Sequence, residues 1–229
     1  MTFIIGRNVS EIIPKGNTSF EQYMPNPVHN SMFIDPVDSH EIKTIITKLK
    51  PKLSTGCDDI SSKLIKLSAD FILEPLTHII NLSLTTGVVP ELMKVAKVIP
   101  IFKSGDKSIS TNYRPISLLP AFSKILERVM YNKILKFLDI KNILFKHQYG
   151  FRPNYSTIQP IIHLLNHCAL ANNKAIPELT LALFCDLSKA FDVIDHQIIL
   201  HKLQMYGIRG LSFKLLKSYL SKQESICGN

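Results

Sequence analysis

A mixed helix-and-strand chain, α+β or α/β in class, is predicted by three features of the sequence. Apolar residues recur at helical spacing over residues 42–84 and again over 122–138. Between these stretches, from Val95, the period shortens to that of strands. Further on, Leu179-Thr-Leu-Ala-Leu-Phe-Cys185 is apolar on both faces, as a central strand would be. With 45% apolar and 20% charged residues, the 229-residue chain can bury a sizeable core.

Residues 1–38 carry Pro14, Pro25, Pro27 and Pro36 without a clean period and read as an irregular connector. Ser39 opens a short helix with Glu41 near its positive end and Ile42, Ile45, Ile46 and Leu49 on one face, stopped by Pro51. Ser54-Thr-Gly-Cys-Asp-Asp-Ile60 is a turn, followed by Leu64, Ile65, Phe71 and Ile72 at helical spacing. Pro75 suits the first turn of a further helix through Leu76, Ile79, Ile80 and Leu84, closed by Gly87. Residues 39–94 thus form a helical lead-in.

Val95–Phe102 reads as a strand whose Pro100 favours an edge. Lys103-Ser-Gly-Asp-Lys107 is a donor-rich turn and Tyr113–Leu119 the returning strand. A long helix follows, with Phe122, Ile125, Leu126, Val129, Met130, Ile134, Leu135 and Leu138 on one face. Ser156 with Gln159 has capping-box form, and the helix it opens runs to about Ala171. After the apolar run at 179–185, Asp195 caps a helix ending at Gly207, and Ser212 caps one through Leu215, Leu216 and Tyr219.

The net charge of +9 is unevenly spread. Residues 101–150 hold nine basic side chains against three acidic, whereas residues 1–100 balance. Such a field concentrates polyanions, although a merely solubilising surface fits the charge equally well. The four cysteines lie apart with no C-x-x-C pair, which excludes a zinc ribbon or disulfide scaffold and suits a reducing compartment. No apolar run approaches the roughly 20 residues of a membrane helix. The N-terminus lacks the layout of a secretory signal, so a soluble, intracellular protein is expected.

The chemistry-bearing segment is Phe184-Cys-Asp-Leu-Ser-Lys-Ala-Phe-Asp192. A carboxylate directly after an apolar strand needs compensation. Asp186 could cap the turn at Ser188 or bind a hard cation such as Mg²⁺, and spacing alone favours the cap.

This segment resembles the first catalytic motif of the reverse transcriptases of non-LTR (LINE-like) retrotransposons. The resemblance extends in order from about residue 32 to the end. It includes Ser54–Ile60, Pro75-Leu76, Asn81–Leu84, Gly87–Pro90 and Val98–Asp106, then Asn112–Leu119 with Lys124-Ile-Leu-Glu127. Gln148-Tyr-Gly-Phe-Arg-Pro-Asn-Tyr-Ser-Thr157, Tyr206-Gly-Ile208 and Ser218–Ser221 continue it.

The resemblance implies an α+β fold, an incomplete right-hand polymerase with helix-rich fingers, a strand hairpin and part of the palm sheet. Residues 95–229 would be fingers and partial palm, with the thumb absent. It implies template-directed addition of dNTPs to a DNA primer on an RNA template, with Mg²⁺ (or Mn²⁺) as cofactor and no membrane partner. Asp186 would be the catalytic metal ligand, joined by the Leu187 carbonyl. Phe191 would be a steric gate against ribose, and Lys103, Arg114 and Lys189 would contact the triphosphate. Gln148, Gly150, Phe151 and Arg152 would lie near the template or primer backbone, while Asp192 and Asp195 read better as helix caps.

The family draws further carboxylates from a [Tyr/Phe]-x-Asp-Asp hairpin. The pair here, Asp58-Asp59, lies upstream of the fingers with no apolar strand leading into it and is a decoy. The expectation is therefore a truncated polymerase domain that is inactive and aggregation-prone in isolation, or alternatively a non-catalytic RNA or template–primer binding module. His163 and His167 with Cys168 form only half a zinc site, and an ordinary helix face is the better reading.

Overall fold

The computed structural model describes residues 20–23, 26–176, 178–186, 194–221 and 224–227. They fall into two compact units, Met1–Phe137 with Asp192–Asn229, and Leu138–Phe191. No helix among the described residues is long and apolar enough to cross a membrane.

In the first unit, α1 (Ser39–Lys48) is capped by Asp38, whose carboxylate accepts the Glu41 N–H at 2.7 Å. It buries Ile42, Ile45 and Ile46, the face set by the sequence spacing. Helix α2 (Ser62–Leu67) ends at Ser68, and α3 (Ala69–Thr86) starts there. The break thus lies at Ser68, not Pro75. Ser68 donates both its N–H and its hydroxyl to the Leu64 carbonyl, at 3.0 Å each. Pro75 sits inside α3, where it removes one backbone bond while Leu76, Ile80 and Leu84 keep the helix on the core. Gly87, left-handed at φ +68°, caps α3 as the sequence suggests.

The irregular segment before α1 contributes to the core through Met32 and Val37. The Asn81 side chain of α3 clamps Val37 at both ends, accepting its N–H and donating to its carbonyl, each at 2.8 Å. Farther back, the Met32 N–H donates to the Gly207 carbonyl at 2.8 Å and Arg209 donates to the Val28 carbonyl at 2.8 Å.

Those partners belong to the corner between α6 (His196–Met205) and α7 (Gly210–Leu220). Asp195 caps α6 by accepting the Gln197 N–H at 2.7 Å. Gly207, at φ +92°, completes a Schellman motif: its N–H reaches Gln204 O at 3.1 Å and the Ile208 N–H reaches Leu203 O at 2.9 Å. A Cβ there would collide with the Asn30 carbonyl, so the corner requires glycine. Ser212 is not the cap of α7. It lies within the helix, and its buried hydroxyl donates instead to the Met32 carbonyl at 2.9 Å.

Strand β1 (Val95–Phe102) pairs antiparallel with β2 (Tyr113–Leu118) and parallel with β3 (Glu224–Cys227), giving the order β2-β1-β3. β1 is therefore central, contrary to the edge position that Pro100 suggests. The ladder explains why. Described pairing with β3 runs as far as Val98, so among the described residues nothing requires an N–H from Pro100 on that side. On the other side Pro100 faces Pro115. Lys103 N–H donates to Asn112 O at 2.8 Å, and counting back in twos places the two prolines at a pair that exchanges no hydrogen bonds. Strand β3 has no clear alternation in the sequence and was not expected.

Beside the start of β1, Lys94 is buried and its ammonium reaches Glu91 at 2.9 Å and the carbonyls of Ser218 and Ser221 at 3.3 and 3.4 Å. It ties the end of α7 to the sheet. Helix α4 (Ala121–Ile140) leaves the hairpin and buries Ile125, Leu126, Val129 and Met130.

The second unit departs most from expectation. Its helix α5 (Ile158–Asn172) buries only Ala171. The stretch 178–186 is not a strand, and Leu179, Leu181, Leu183 and Phe184 are 97%, 91%, 87% and 81% exposed. A strand apolar on both faces needs neighbours along both edges and above and below, and the described residues supply none.

Tyr219 of α7 donates its hydroxyl to the Glu127 carboxylate of α4. Burial, and then that bond and the nearby negative charge, hold its phenol well above the ordinary value near 10. A raised folded-state value means the bond's contribution is complete below about pH 10 and is lost as pH climbs beyond it. The difference in urea midpoint between wild type and Tyr219→Phe should stay constant from neutral pH to about 9 and shrink above about 10. A difference that is flat or widening across that range contradicts this assignment.

Candidate functional site

The hairpin presents the first cluster of site residues. β1 enters the core through Ala96 and Val98 and then runs into solvent. Opposite residues in an antiparallel pair share a face, and side chains alternate along each strand. The register Ile101↔Arg114, continued to Lys103 opposite Asn112, therefore places Lys103 and Arg114 on one face as diagonal neighbours. Ile99, Ile101 and Ile116 lie on the same face. Both cations are exposed, and neither makes a side-chain hydrogen bond or ion pair among the described residues. A triphosphate could be met there by a guanidinium fork and an ammonium together.

The loop between the strands is held by its own polar groups. Asp106 accepts the N–H and hydroxyl of Ser108 at 2.8 Å each, which lowers its carboxyl below the usual value, the backbone bond contributing most. Asn112 donates to the Asp106 carbonyl at 2.9 Å, and Tyr113 donates to the Lys107 carbonyl at 2.9 Å. On the opposite face of the hairpin, the Phe102 and Tyr113 rings meet edge to face at 5.5 Å, with Lys107 5.8 Å from the Phe102 ring centre.

Gln148, Gly150, Phe151 and Arg152 share one tight loop in the second unit. Phe151 and Asn154 adopt left-handed backbone at φ +61° and +64°, costly for a bulky residue such as Phe151. Gln148 donates to the Gly150 carbonyl at 3.3 Å. Arg152 donates to the Phe145 carbonyl at 3.4 Å, meets Asp139 at 3.4 Å and lies 4.6 Å from the centre of the Tyr155 ring. Arg152 is thus already engaged, unlike Arg114.

Asp186, in the same unit, is exposed and makes no hydrogen bond or ion pair among the described residues. It does not stand at the mouth of a buried strand, because 178–186 is not one. Leu187, Lys189, Phe191 and Asp192 lie outside the described residues. No three ligating side chains converge among the described residues. That donor set does not by itself fit a pair of divalent ions.

Asp58 and Asp59 belong to a turn. Asp58 accepts the Ile60 N–H at 3.3 Å, and Asp59, at φ +53°, accepts the Thr55 hydroxyl at 3.3 Å. Neighbouring Gly56 is packed against the Pro120 backbone, where a Cβ would come within 2.7 Å of the nitrogen. Both carboxylates thus bond within their own turn. Among the described residues no third ligating side chain joins His163 and His167. The His163 ring instead meets those of His147 at 5.5 Å and Tyr149 at 5.9 Å. This aromatic grouping was missed in the sequence, where the density of rings over residues 145–155 is the signal that could have found it.

The sequence pattern of the reverse transcriptase (RNA-dependent DNA polymerase) family matches residues 101–229, and the chain belongs to that family. The RNA-directed DNA polymerase from mobile element jockey of Drosophila funebris is 33% identical over 197 residues, covering 86% of this chain and 21% of that protein. Its Drosophila melanogaster counterpart is 32% identical over 205 residues, covering 89% and 22%. A probable RNA-directed DNA polymerase from transposon BS of the same species is 31% identical over 204 residues, covering 86% and 22%. The chain spans about a fifth of the length of these curated relatives. They place it with the non-LTR retrotransposon polymerases, as the ordered motifs suggest. The family acts on nucleic-acid templates and primers and uses divalent metal ions.

Because Arg114 is exposed and has no side-chain partner among the described residues, Arg114→Ala should change the unfolding free energy by less than about 0.5 kcal/mol in urea titration. A loss above about 1 kcal/mol would show that the arginine supports the hairpin itself.

Proposed function

We propose that this chain is the fingers and first part of the palm of a right-hand RNA-directed DNA polymerase, and that its hairpin grips an incoming dNTP. The observation that carries the proposal is the shared, solvent-facing placement of Lys103 and Arg114, both without protein partners among the described residues, inside the family-matched region. Arg114 offers a planar fork to two phosphate oxygens, and Lys103 a mobile point charge beside it. Charge on the triphosphate is met before chemistry begins, which both raises local nucleotide concentration and fixes its orientation.

Asp186 is the residue of this chain that would hold a divalent ion, Mg²⁺ or Mn²⁺, with the Leu187 carbonyl beside it. The described residues do not complete that centre, so no reaction step is assigned through it. Phe191 as a gate against ribose, Lys189 near the triphosphate, and Gln148, Gly150 and Arg152 along the template–primer backbone complete the proposed assignments. The domain organisation proposed with them is a connector over 1–38, a helical lead-in over 39–94 and polymerase from 95 onward. A second reading, nucleic-acid binding without chemistry, rests on the sequence, whose one Asp-Asp pair, Asp58-Asp59, lies upstream of the hairpin.

Nucleotide binding separates the two. Arg114→Ala should weaken dNTP binding about 10- to 100-fold by equilibrium titration, and Arg114→Lys should restore only part of it. Binding that is equal in all three proteins would contradict the proposal. Primer extension by the 229-residue chain should not exceed that of Asp186→Ala, and template-dependent synthesis above that control would show a complete metal centre.

A further inference from the structure

The Leu138–Phe191 unit holds a cavity of about 360 Å³, the size of small-ligand sites, between the loop 146–155 and the start of α5. Its walls are His147, Tyr149, Tyr155 and His163, with Lys146 and Gln159 as the polar members. The rings meet edge to face or at a tilt: His147 and His163 at 5.5 Å, Tyr149 and Tyr155 at 5.9 Å, Tyr149 and His163 at 5.9 Å. In such contacts the edge of one ring meets the face of another, and no ring pair is stacked flat. With Arg152 already over one side of the Tyr155 ring, 4.6 Å from its centre, a planar guest has the other side of that ring and the Tyr149 ring, neither of them held in a flat stack.

The polar groups suit a particular guest. The Gln159 carbonyl oxygen accepts the Ser156 N–H at 3.0 Å, which orients the amide so that its NH₂ has no partner among the described residues. Lys146 makes no ion pair among the described residues. An apolar ligand would make no use of either group, and a simple anion none of the four rings. A planar, hydrogen-bonding base attached to a phosphate satisfies the rings, the amide and the ammonium together. Within the same unit, residues 138–155 carry Lys141, Lys146 and Arg152 against one acidic residue, Asp139, a balance that attracts a polyanionic strand.

We propose that this cleft takes one unpaired nucleobase of a single-stranded nucleic acid, stacked on Tyr149 or Tyr155, with Gln159 on its edge and Lys146 on a neighbouring phosphate. The inference deepens the polymerase reading and rests on it. It differs from the backbone contacts assigned to Gln148, Gly150 and Arg152, because recognition here is through the face of a base. Duplex nucleic acid hides its base faces and would not enter.

Fluorescence anisotropy tests this with the whole chain and single-stranded RNA of about 12 nucleotides, a length of the order bound by known stacking platforms. A matched RNA with abasic positions and a duplex serve as comparison ligands. Tyr149→Leu and Tyr155→Leu should each weaken binding of the single strand about tenfold or more, while Tyr149→Phe and Tyr155→Phe retain it. The abasic strand should bind wild type and the leucine variants alike. Wild-type binding that is indifferent to loss of the rings, or equal for intact and abasic strands, overturns the base-stacking inference alone. Absence of any binding by wild type overturns it together with the nucleic-acid reading of the chain.

Discussion

The half-buried state of β1 is the constraint on which the hairpin depends. Ala96 and Val98 fix one end of the strand in the helical core, Lys94 anchors the same end to α7, and the rest of the strand runs out into water. A lone two-stranded ribbon is marginal in water, so the buried end, the third strand and α4 are what allow the far end to be exposed. Two opposed prolines fit the ladder only because they fall where no bond is exchanged. From that register follows the common face of Lys103 and Arg114. One residue of slip would turn Arg114 to the other side.

The core that holds β1 is assembled from distant pieces of chain. Segment 28–37 lies between Asn81 of α3 and the α6–α7 corner, held by hydrogen bonds to its backbone groups and, at Met32 and Val37, by buried apolar side chains. Gly207 has to be glycine because that segment passes so close. Polar satisfaction, as much as apolar area, fixes the irregular segment against the helices. The second unit is built differently. Its helix shows most of its apolar side chains to solvent, and its order comes from short-range loop contacts and ring packing around the cleft.

Much of this was legible in the sequence where local chemistry decides. Gly87, Asp195 and Gly207 end or begin helices through bonds made within a turn, so residue type and spacing were enough. The same holds for the hairpin, whose strand period and turn residues sit together. Where a distant partner decides, the sequence misled. Ser212 has the form of a cap, but its hydroxyl is taken by Met32, far away in the chain. Pro75 has the form of a helix start, but packing carries α3 through it. Leu179–Cys185 has the composition of a central strand, which is a statement about neighbours it does not have among the described residues. The site divides in the same way: Lys103 and Arg114 were found from motif order, while the ring cluster was obscured by reading His163 with its helical neighbour and not with the loop.

Whether Lys103 and Arg114 act on one triphosphate is open to direct measurement by a double-mutant cycle. dNTP dissociation constants for wild type, Lys103→Ala, Arg114→Ala and the double variant give the coupling between them. If both grip the same phosphates, the double variant is weaker than wild type by a factor that departs from the product of the single effects, with a coupling of at least about 0.5 kcal/mol. Single effects that multiply without coupling, or that are absent, would contradict the account of the hairpin as a triphosphate grip.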